Sequence, residues 1–215
     1  MRGDLRVVEH INHLSRKLPV WLIYLIGAAP GVYFIMLGVR NELGPEPIAK
    51  LEHLLGEFAL QMLVFGLAIT PLRRIFRINL FKFRRAIGLI AFGYVLLHVL
   101  TWALLDLGDL NRVWADIMKR PYITIGMLAL LGLIPLALTS NNVAQRWLGS
   151  RWRQLHRLTY GICILGGLHF VMLRKGLQIE PLLYLGSILF LLLARVDIGK
   201  WRIFAADRKP KAPTL

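Results

Sequence analysis

Residues 155–173 read LHRLTYGICILGGLHFVML, an apolar stretch of the length that crosses a bilayer as a helix. Two histidines, His156 and His169, lie within it. Ionisable side chains are costly inside a membrane, and where they occur they mark functional sites. At 1.5 Å per residue, His169 lies about 21 Å along this predicted helix. The stretch therefore predicts a membrane helix with a functional imidazole deep inside it.

A second apolar stretch carries a histidine at a matching depth. Residues 85–105, RAIGLIAFGYVLLHVLTWALL, place His98 about 20 Å from the start of their helix by the same rise. If both helices run in the same direction, His98 and His169 lie at nearly the same level. Two neutral imidazoles that face each other in an apolar bundle can supply both axial ligands of a six-coordinate b-type haem. The alternative is two unrelated histidines, each bonded to a backbone carbonyl.

The composition is that of a membrane protein. Of the 215 residues, 56% are hydrophobic, and the mean hydropathy is +0.56. The single cysteine, Cys163, lies in an apolar run, which excludes a disulfide framework and favours a packing role. Together with the two stretches above, four further apolar runs predict an all-α membrane protein with a six-helix transmembrane bundle: 19–38, 52–71, 121–139 and 181–196.

The basic residues predict the orientation of this bundle. The net charge is +15, and 20 of the 27 Lys and Arg residues fall in the termini and alternate loops of one side. The side rich in Lys and Arg is cytoplasmic by the positive-inside rule, so both termini are expected inside. Helices 85–105 and 155–173 then both run outward, as the matching depth requires. Because the basic residues alternate between loops and form no single face, we exclude nucleic acid as a partner.

The same pattern divides the chain into three regions. Residues 1–18 are expected to form a cytoplasmic amphipathic segment on the membrane surface. Residues 19–196 form the predicted transmembrane domain, in contact with lipid. Residues 197–215 form a predicted cytoplasmic charged tail.

A polar stripe marks the second predicted span. His53, Glu57 and Gln61 recur at i, i+4 and i+8, so this face is expected to point into the bundle and away from lipid. His53 is a weak candidate for a partner contact or an electron exit; an ordinary interfacial histidine is the alternative. Aromatic residues near the predicted helix ends are expected to be membrane-interface anchors: Trp21, Trp102, Trp114, Tyr122 and Trp152.

The cytoplasmic end holds a second group of candidates. His156 lies about 20 Å from His169 and, at 100° per residue, about 140° around the helix. The matching depth of span 85–105 holds Arg84 and Arg85 and no histidine, so an inner bis-histidine haem is not expected. A second haem with another ligand, a flavin or quinone contact, and an interfacial structural role remain open for His156. Arg84 and Arg85 are candidates for haem propionate or flavin phosphate contacts, or determine topology alone.

Seven stretches of the chain resemble the MsrQ family, also called YedZ. Its members are haem-binding membrane subunits of the bacterial periplasmic methionine-sulfoxide reductase system, within the ferric-reductase-like transmembrane superfamily. The stretches are ITPLRR (69–74), RRAIGL (84–89), LLHVLTWALLDLG (96–108), RPYITIG (120–126), LALTS (136–140), RWLGSRWRQLHRLTY (146–160) and LHF (168–170).

This resemblance implies a six-helix bundle in the bacterial inner membrane that carries one or two b-type haems and is associated with FMN. It implies a periplasmic molybdopterin-containing partner, MsrP, which reduces methionine sulfoxide in oxidised proteins, so this chain itself would not be the catalytic subunit. Electrons would come from the quinone pool or a cytoplasmic flavin reductase. By position, His98, His156 and His169 match the family's membrane histidines, and His53 matches a further one.

Other functions remain compatible with the residues alone. A stand-alone metal-ion reductase would work without a periplasmic partner. A proton-relay or transport bundle would use His98 and His169 without haem, and a structural anchor would use neither. NADPH oxidases and ferric reductases of the wider superfamily carry two histidines on the equivalent of the third span, where this chain has Arg84 and Arg85 at the inner position.

Overall fold

A computed structural model describes residues 2–174 and 178–195, and within them the chain is helical and without strands. The predicted tail 197–215 lies outside the described residues. The α-helices are α1 (Arg2–Lys17), α2 (Val20–Val39), α3 (Pro47–Phe76), α4 (Arg84–Leu100), α5 (Leu110–Lys119), α6 (Pro121–Leu138), α7 (Asn142–Leu148), α8 (Ser150–Leu155), α9 (Leu158–Leu173) and α10 (Ile179–Leu193). The all-α prediction is therefore confirmed.

Four helical segments in the described part of the chain are long and apolar enough to cross a membrane. They are α2, α3, α6 and the continuous segment Phe81–Leu107, in which α4 is preceded by a 3-10 turn and followed by a π-helix. The protein is thus a multi-pass membrane protein. The last two predicted spans form shorter helices, since α9 has 16 residues and α10 has 15, near or below the usual minimum of about 17 for a span.

Two antiparallel hairpins form the centre of the bundle. Helix α3 packs along α4, and α6 packs along α9; α2 lies against α4, and α10 lies against α9 and α3. Their shared core contains Leu63, Leu67, Ala91, Leu133 and Ile162, and it includes the buried Cys163. Because α4 and α9 are the outgoing members of the two hairpins, they run in the same direction.

Helix α2 continues through Pro30, which lacks the backbone N–H of an ordinary helical residue. The buried hydroxyl of Tyr94, on α4, is inserted into the backbone ladder of α2 next to this proline. It donates to the carbonyl of Gly27 at 2.7 Å and accepts from the N–H of Gly31 at 2.6 Å. Gly31 permits the approach, since a Cβ at this position would lie 2.9 Å from the Tyr94 oxygen. A side chain of α4 thus satisfies the backbone groups near the proline, as a membrane interior requires.

The predicted amphipathic segment 1–18 forms α1, and it is attached to the bundle by a side-chain amide. Asn12 donates to the carbonyl of Arg77 at 3.0 Å and accepts from the N–H of Asn79 at 2.8 Å. Arg77 adopts a left-handed conformation at the end of α3, with φ of 59°. The pair of bonds fixes α1 against the turn that joins α3 to α4.

Candidate functional site

His98 lies on α4 and packs against the beginning of α3. Its Nδ1 is 2.9 Å from the backbone carbonyl of Glu52. A carbonyl oxygen can only accept, so Nδ1 carries the proton and Nε2 keeps a free lone pair. The Nδ1 edge of the ring also lies against Gly56, one helical turn after Glu52.

His169 makes the same arrangement in the second hairpin. It lies on α9, and its Nδ1 is 2.7 Å from the backbone carbonyl of Tyr122 at the beginning of α6. The ring lies against Gly126, again one turn after the carbonyl that it bonds. His169 therefore has the same tautomer as His98, with the proton on Nδ1 and the lone pair on Nε2. Hydrogen bonds of this kind orient metal-binding histidines.

The two imidazoles face each other across the bundle. Their ring centroids are 6.3 Å apart, and the ring planes are inclined by 78°. A metal–imidazole bond of about 2 Å on each side would leave room for one metal ion between two rings at this separation. His98 and His169, each with a free Nε2, are therefore the two residues that would hold the iron of a haem.

The pocket around these histidines is built from two copies of one pattern. Gly56, Ala59, Leu60 and Leu63 line it from α3, and residues exactly 70 positions later line it from α6. The full set is Gly56, Ala59, Leu60, Leu63, Gly126, Ala129, Leu130 and Leu133. The two histidines are related by nearly the same spacing, since His169 lies 71 positions after His98. The cavity between them has a volume of about 250 Å³.

Sequence reasoning missed these glycines, although a signal was present. The pattern Gly-x-x-Ala-Leu-x-x-Leu occurs at residues 56–63 and again at 126–133. A histidine follows the first glycine after 42 residues and the second after 43. The repeated spacing relates each glycine to one histidine.

Polar residues gather at the end of the pocket where α3 and α6 begin. Glu52, Asp106, Arg120 and Tyr122 line it there, together with His53. Arg120 forms an ion pair with Asp116 at 3.0 Å and donates to the Tyr122 hydroxyl at 3.2 Å. The hydrogen bond to Tyr122 raises the pKa of Arg120, which keeps this guanidinium charged. His53, the weak candidate for an electron exit, thus lies at this polar end of the pocket.

The stripe on α3 faces the bundle interior, as its spacing predicted. Glu57 lines the same pocket, and its carboxylate accepts from Gln61 at 3.1 Å and from the Tyr184 hydroxyl at 3.2 Å. Gln61 also donates to the Tyr184 oxygen at 2.9 Å. The three side chains join α3 to α10 through a closed triangle of hydrogen bonds. In the repeat, the counterpart of Glu57 is the apolar Met127, so this triangle lies on one side of the pocket only.

One of the predicted interface anchors lies elsewhere. Trp102 is buried and lines the histidine pocket with Tyr122, while Trp152 lines a second pocket at the opposite end of the bundle. The expectation of an interface anchor was wrong for Trp102, because packing turns its ring inward; Tyr122 and Trp152 are half-buried and stay predicted anchors. Trp21 and Trp114 are exposed on the protein surface, as anchors should be.

The second pocket brings together the inner candidates. Arg84, Arg85 and His156 line a cavity of about 580 Å³ together with Arg153 and Arg157. The helix is interrupted at His156, since α8 ends at Leu155 and α9 begins at Leu158. This break changes the direction of the His156 side chain. Helix α9 itself continues without interruption through its three glycines, Gly161, Gly166 and Gly167. With the spacing of 71 residues that relates the two histidines of the first pocket, the position in the first hairpin that corresponds to His156 is Arg85.

His156 differs from the outer pair in its bonding. Its Nε2 is 3.1 Å from the Thr139 hydroxyl, and that hydroxyl donates its proton to the carbonyl of Pro135 at 2.7 Å. With the hydroxyl proton on this carbonyl, Nε2 of His156 is the donor, which leaves the lone pair on Nδ1. The ring is stacked on Trp152 with a centroid distance of 3.9 Å. Burial, and then the nearby Arg84, lower the pKa of this imidazole, which lies between α8 and α9, outside the spanning helices.

The two candidate arginines have different surroundings. Arg85 donates from Nε to the carbonyl of Ser140 and from a terminal nitrogen to the side chain of Asn142 at 2.7 Å. It therefore satisfies backbone and side-chain groups after the end of α6. Arg84 borders the cavity near His156. The pocket thus has a strongly basic lining with one stacked, neutral imidazole.

The fold and the outer pocket define a class of protein: a helical membrane bundle in which two parallel helices present facing imidazoles. Comparison with known proteins is consistent with this class. The family described as "Ferric reductase like transmembrane component" matches residues 31–167. No solved structure matches the chain.

Similar proteins narrow the class further. A protein of Agrobacterium fabrum (strain C58 / ATCC 33970) is 49% identical over 174 residues, which cover 80% of this chain and 81% of the relative. Proteins of Brucella anthropi and Brucella ovis are 43% and 45% identical, over 89% of this chain and 86% of each relative. All three are named protein-methionine-sulfoxide reductase heme-binding subunit MsrQ. The chain belongs to the MsrQ family, which confirms the resemblance found in the sequence.

Proposed function

We propose that this chain is the haem-carrying transmembrane electron-transfer subunit of a periplasmic methionine-sulfoxide reductase. The observation that carries the proposal is the facing pair His98 and His169, with Nε2 free on both rings and centroids 6.3 Å apart. These residues would be the axial ligands of a b-type haem, which supplies one-electron redox chemistry when bound. The chain's own residues orient the imidazoles, exclude water with an apolar lining and separate the site from lipid.

The proposed topology has six spans with both termini in the cytoplasm of the bacterial cell, in the inner membrane. Helices α9 and α10 are short, but they pack on each other and on the longer spans, and their sequences are apolar. The asymmetry of Lys and Arg between the two sides supports this orientation. The pocket with His98 and His169 then lies toward the periplasm, and the basic pocket with His156 lies toward the cytoplasm. The proposed division of the chain is an N-terminal cytoplasmic segment (1–18), a transmembrane domain (19–196) and a cytoplasmic tail (197–215).

The proposed partner is the periplasmic molybdopterin reductase MsrP, which would reduce methionine sulfoxide in oxidised proteins. The relatives are named as subunits of a protein-methionine-sulfoxide reductase, which supports a division of labour between two chains. The present chain would not carry the catalytic site for the sulfoxide. Its polar outer rim, with His53, Arg120 and Tyr122, opens toward the side where such a partner would dock.

The inner pocket is the proposed point of electron entry, from the quinone pool or from a cytoplasmic flavin reductase. FMN is its proposed cofactor. Arg84, Arg153 and Arg157 supply cations for a phosphate, and His156 offers Nδ1 as an acceptor beside the indole of Trp152. A second haem is the alternative occupant. It is less well supported, because Nε2 of His156 is already bonded to Thr139 and the repeat holds Arg85 in place of a second histidine.

The test is the absorption spectrum of the purified protein before and after reduction with dithionite, in wild type and single variants. We expect a reduced b-type spectrum that is lost in both His98→Ala and His169→Ala. We expect His156→Ala to keep that spectrum and to lose bound FMN. A partial loss of haem absorption in His156→Ala would instead assign a second haem to the inner pocket. His13→Ala, on the exposed side of α1, is the matched control.

Two rival functions give different results. A proton-relay or transport bundle predicts no haem spectrum in the wild-type protein, even when it is expressed with ample haem, and this result would refute the proposal. A stand-alone metal-ion reductase predicts a haem spectrum with rapid reduction of ferric chelates, and no acceleration of electron flow when purified MsrP is added to proteoliposomes. The proposed function requires electron flow to MsrP that is absent in His98→Ala and in His169→Ala.

A further inference from the structure

The two glycines at the outer pocket are in unusually close contact with the imidazoles. A Cβ built on Gly56 would lie 2.9 Å from Nδ1 and 3.1 Å from Cε1 of His98. A Cβ on Gly126 would lie 2.9 Å from Nδ1 and 3.0 Å from Cε1 of His169. These distances are too short for a real Cβ, and the atoms in contact belong to rings that are held by hydrogen bonds. Each ring would have to move if its glycine became alanine.

The position of each glycine explains why the contact is needed. In an α-helix the carbonyl of residue i accepts from the N–H of residue i+4, so the carbonyl of Glu52 is next to Gly56 and that of Tyr122 is next to Gly126. Each carbonyl has a second lone pair, which the imidazole of the opposite helix uses. A side chain at i+4 would cover the path by which the ring reaches that lone pair. Glycine leaves the path open, despite its cost in the middle of a helix.

The same arrangement occurs twice, once in each hairpin. The shared elements are a carbonyl, a glycine four residues later and a histidine on the outgoing helix. The residues between carbonyl and glycine differ, as do the residues that follow the two histidines, Val99 and Phe170. Packing of two helices requires small residues at close contacts, but it does not require that both contacts lie on the Nδ1 edge of a histidine.

We propose that Gly56 and Gly126 are positioning residues that set the tautomer and the ring plane of the two axial histidines, as equivalent halves of one site. This proposal rests on the proposed haem function. Each glycine acts through its histidine. It leaves room for the hydrogen bond from Nδ1 to the carbonyl, which fixes the proton on Nδ1, and its contact with the ring fixes the angle of the ring. The 78° between the two planes is therefore determined by the two glycine contacts.

The experiment measures the haem of Gly56→Ala and Gly126→Ala in the full-length protein in detergent. In low-spin ferric haem the angle between the axial imidazole planes determines the anisotropy of the electron paramagnetic resonance signal, and near-perpendicular planes give a strongly anisotropic signal. We expect this signal in the wild type and altered g values in both variants. We also expect transfer of haem to apomyoglobin to become faster by about 10- to 100-fold, the usual effect of losing an outer hydrogen bond to a metal-binding histidine.

Two further glycines serve as controls. Gly66→Ala changes α3 where the new Cβ meets only Ile87 at an ordinary 3.7 Å, so the wild-type signal should remain. Gly27→Ala creates a clash of 2.5 Å with Ile90, between α2 and α4 and outside the histidine pocket. It reports the effect of a packing defect that touches neither imidazole. Size-exclusion profiles of all variants establish that they are folded.

The outcomes separate this proposal from the proposed function. If the wild type binds haem, and Gly56→Ala and Gly126→Ala keep the wild-type g values and haem-transfer rates, the positioning role is refuted while the haem function stands. The same conclusion follows if Gly27→Ala alters the signal as much as they do. If Gly56→Ala does not fold, Gly126→Ala tests the equivalent half independently, and a change in its signal with normal elution supports the proposal. A wild type without haem refutes the proposed function itself.

Discussion

Replacement of Tyr94 by phenylalanine tests how the bundle satisfies the backbone of α2 around Pro30. The ring of Tyr94 packs against Phe58 with a centroid distance of 4.4 Å, and phenylalanine preserves that contact. Only the hydroxyl is removed, together with its bonds to Gly27 and Gly31. The variant therefore isolates two hydrogen bonds between α4 and α2.

The magnitude follows from the environment of these bonds. Hydrogen bonds between membrane helices contribute about 0.6 kcal/mol on average and up to about 1.7 kcal/mol. Tyr94 makes two, both to backbone atoms and at short distances, and its side chain is 4% exposed. We expect the free energy of unfolding to fall by about 1–3 kcal/mol. The smaller decrease in the free energy of unfolding is expected if, without the hydroxyl, the N–H of Gly31 forms a hydrogen bond directly with the carbonyl of Gly27.

The assay is equilibrium unfolding in mixed micelles with increasing sodium dodecyl sulfate. Tyr33→Phe is the matched control, because Tyr33 lies on α2 with its side chain 59% exposed and should tolerate the loss of its hydroxyl. If Tyr94→Phe unfolds within about 0.3 kcal/mol of the wild type, the hydroxyl does not stabilise α2, and the account of Pro30 is wrong. Tyr94 lies one turn before His98, so a retained haem spectrum would show that the effect is confined to helix packing.

Three further variants have expected outcomes. Tyr184→Phe breaks the hydrogen-bonded triangle with Glu57 and should lower the free energy of unfolding by about 1 kcal/mol in the same assay, with the haem spectrum retained; an unchanged midpoint would contradict it. Asn12→Ala removes the two bonds that Asn12 makes to the turn after α3 and leaves the bond from the Ser15 hydroxyl to Asn79, so limited proteolysis should cleave the N-terminal segment faster while the bundle stays intact. Asp116→Asn breaks the ion pair with the half-exposed Arg120, and unfolding should change by less than about 1 kcal/mol; a larger loss would indicate a buried role.

Much of the architecture could be predicted from local features of the sequence. Apolar runs indicated membrane helices because a bilayer requires about 20 apolar residues to be crossed by a helix. Equal spacing from the helix starts predicted that His98 and His169 lie at one level, and the structure brings their rings together. The absence of a second inner histidine was also visible, since Arg84 and Arg85 occupy that depth.

Side-chain direction was decided only by tertiary packing. Helix α9 has little amphipathic character, so apart from His169 its sequence does not indicate which residues lie against α6 and which lie against lipid. The same limit explains why Trp102 was expected at the membrane interface, although packing turns its ring into a pocket. At the break between α8 and α9, His156 likewise contacts the end of α6 through Thr139, a contact between helices that the sequence does not indicate.

The sequence by itself therefore determined the four helices that are long and apolar enough to cross a membrane, the matching positions of His98 and His169 along their helices, and which loops are basic. These properties depend on the length and polarity of single segments, which the bilayer and its charge asymmetry act on directly. The tertiary structure decided which nitrogen of each histidine carries the proton, because the tautomer depends on a carbonyl or hydroxyl of another helix. It also decided that Gly56 and Gly126 lie against the imidazoles, since close contact between two helices is a property of the pair.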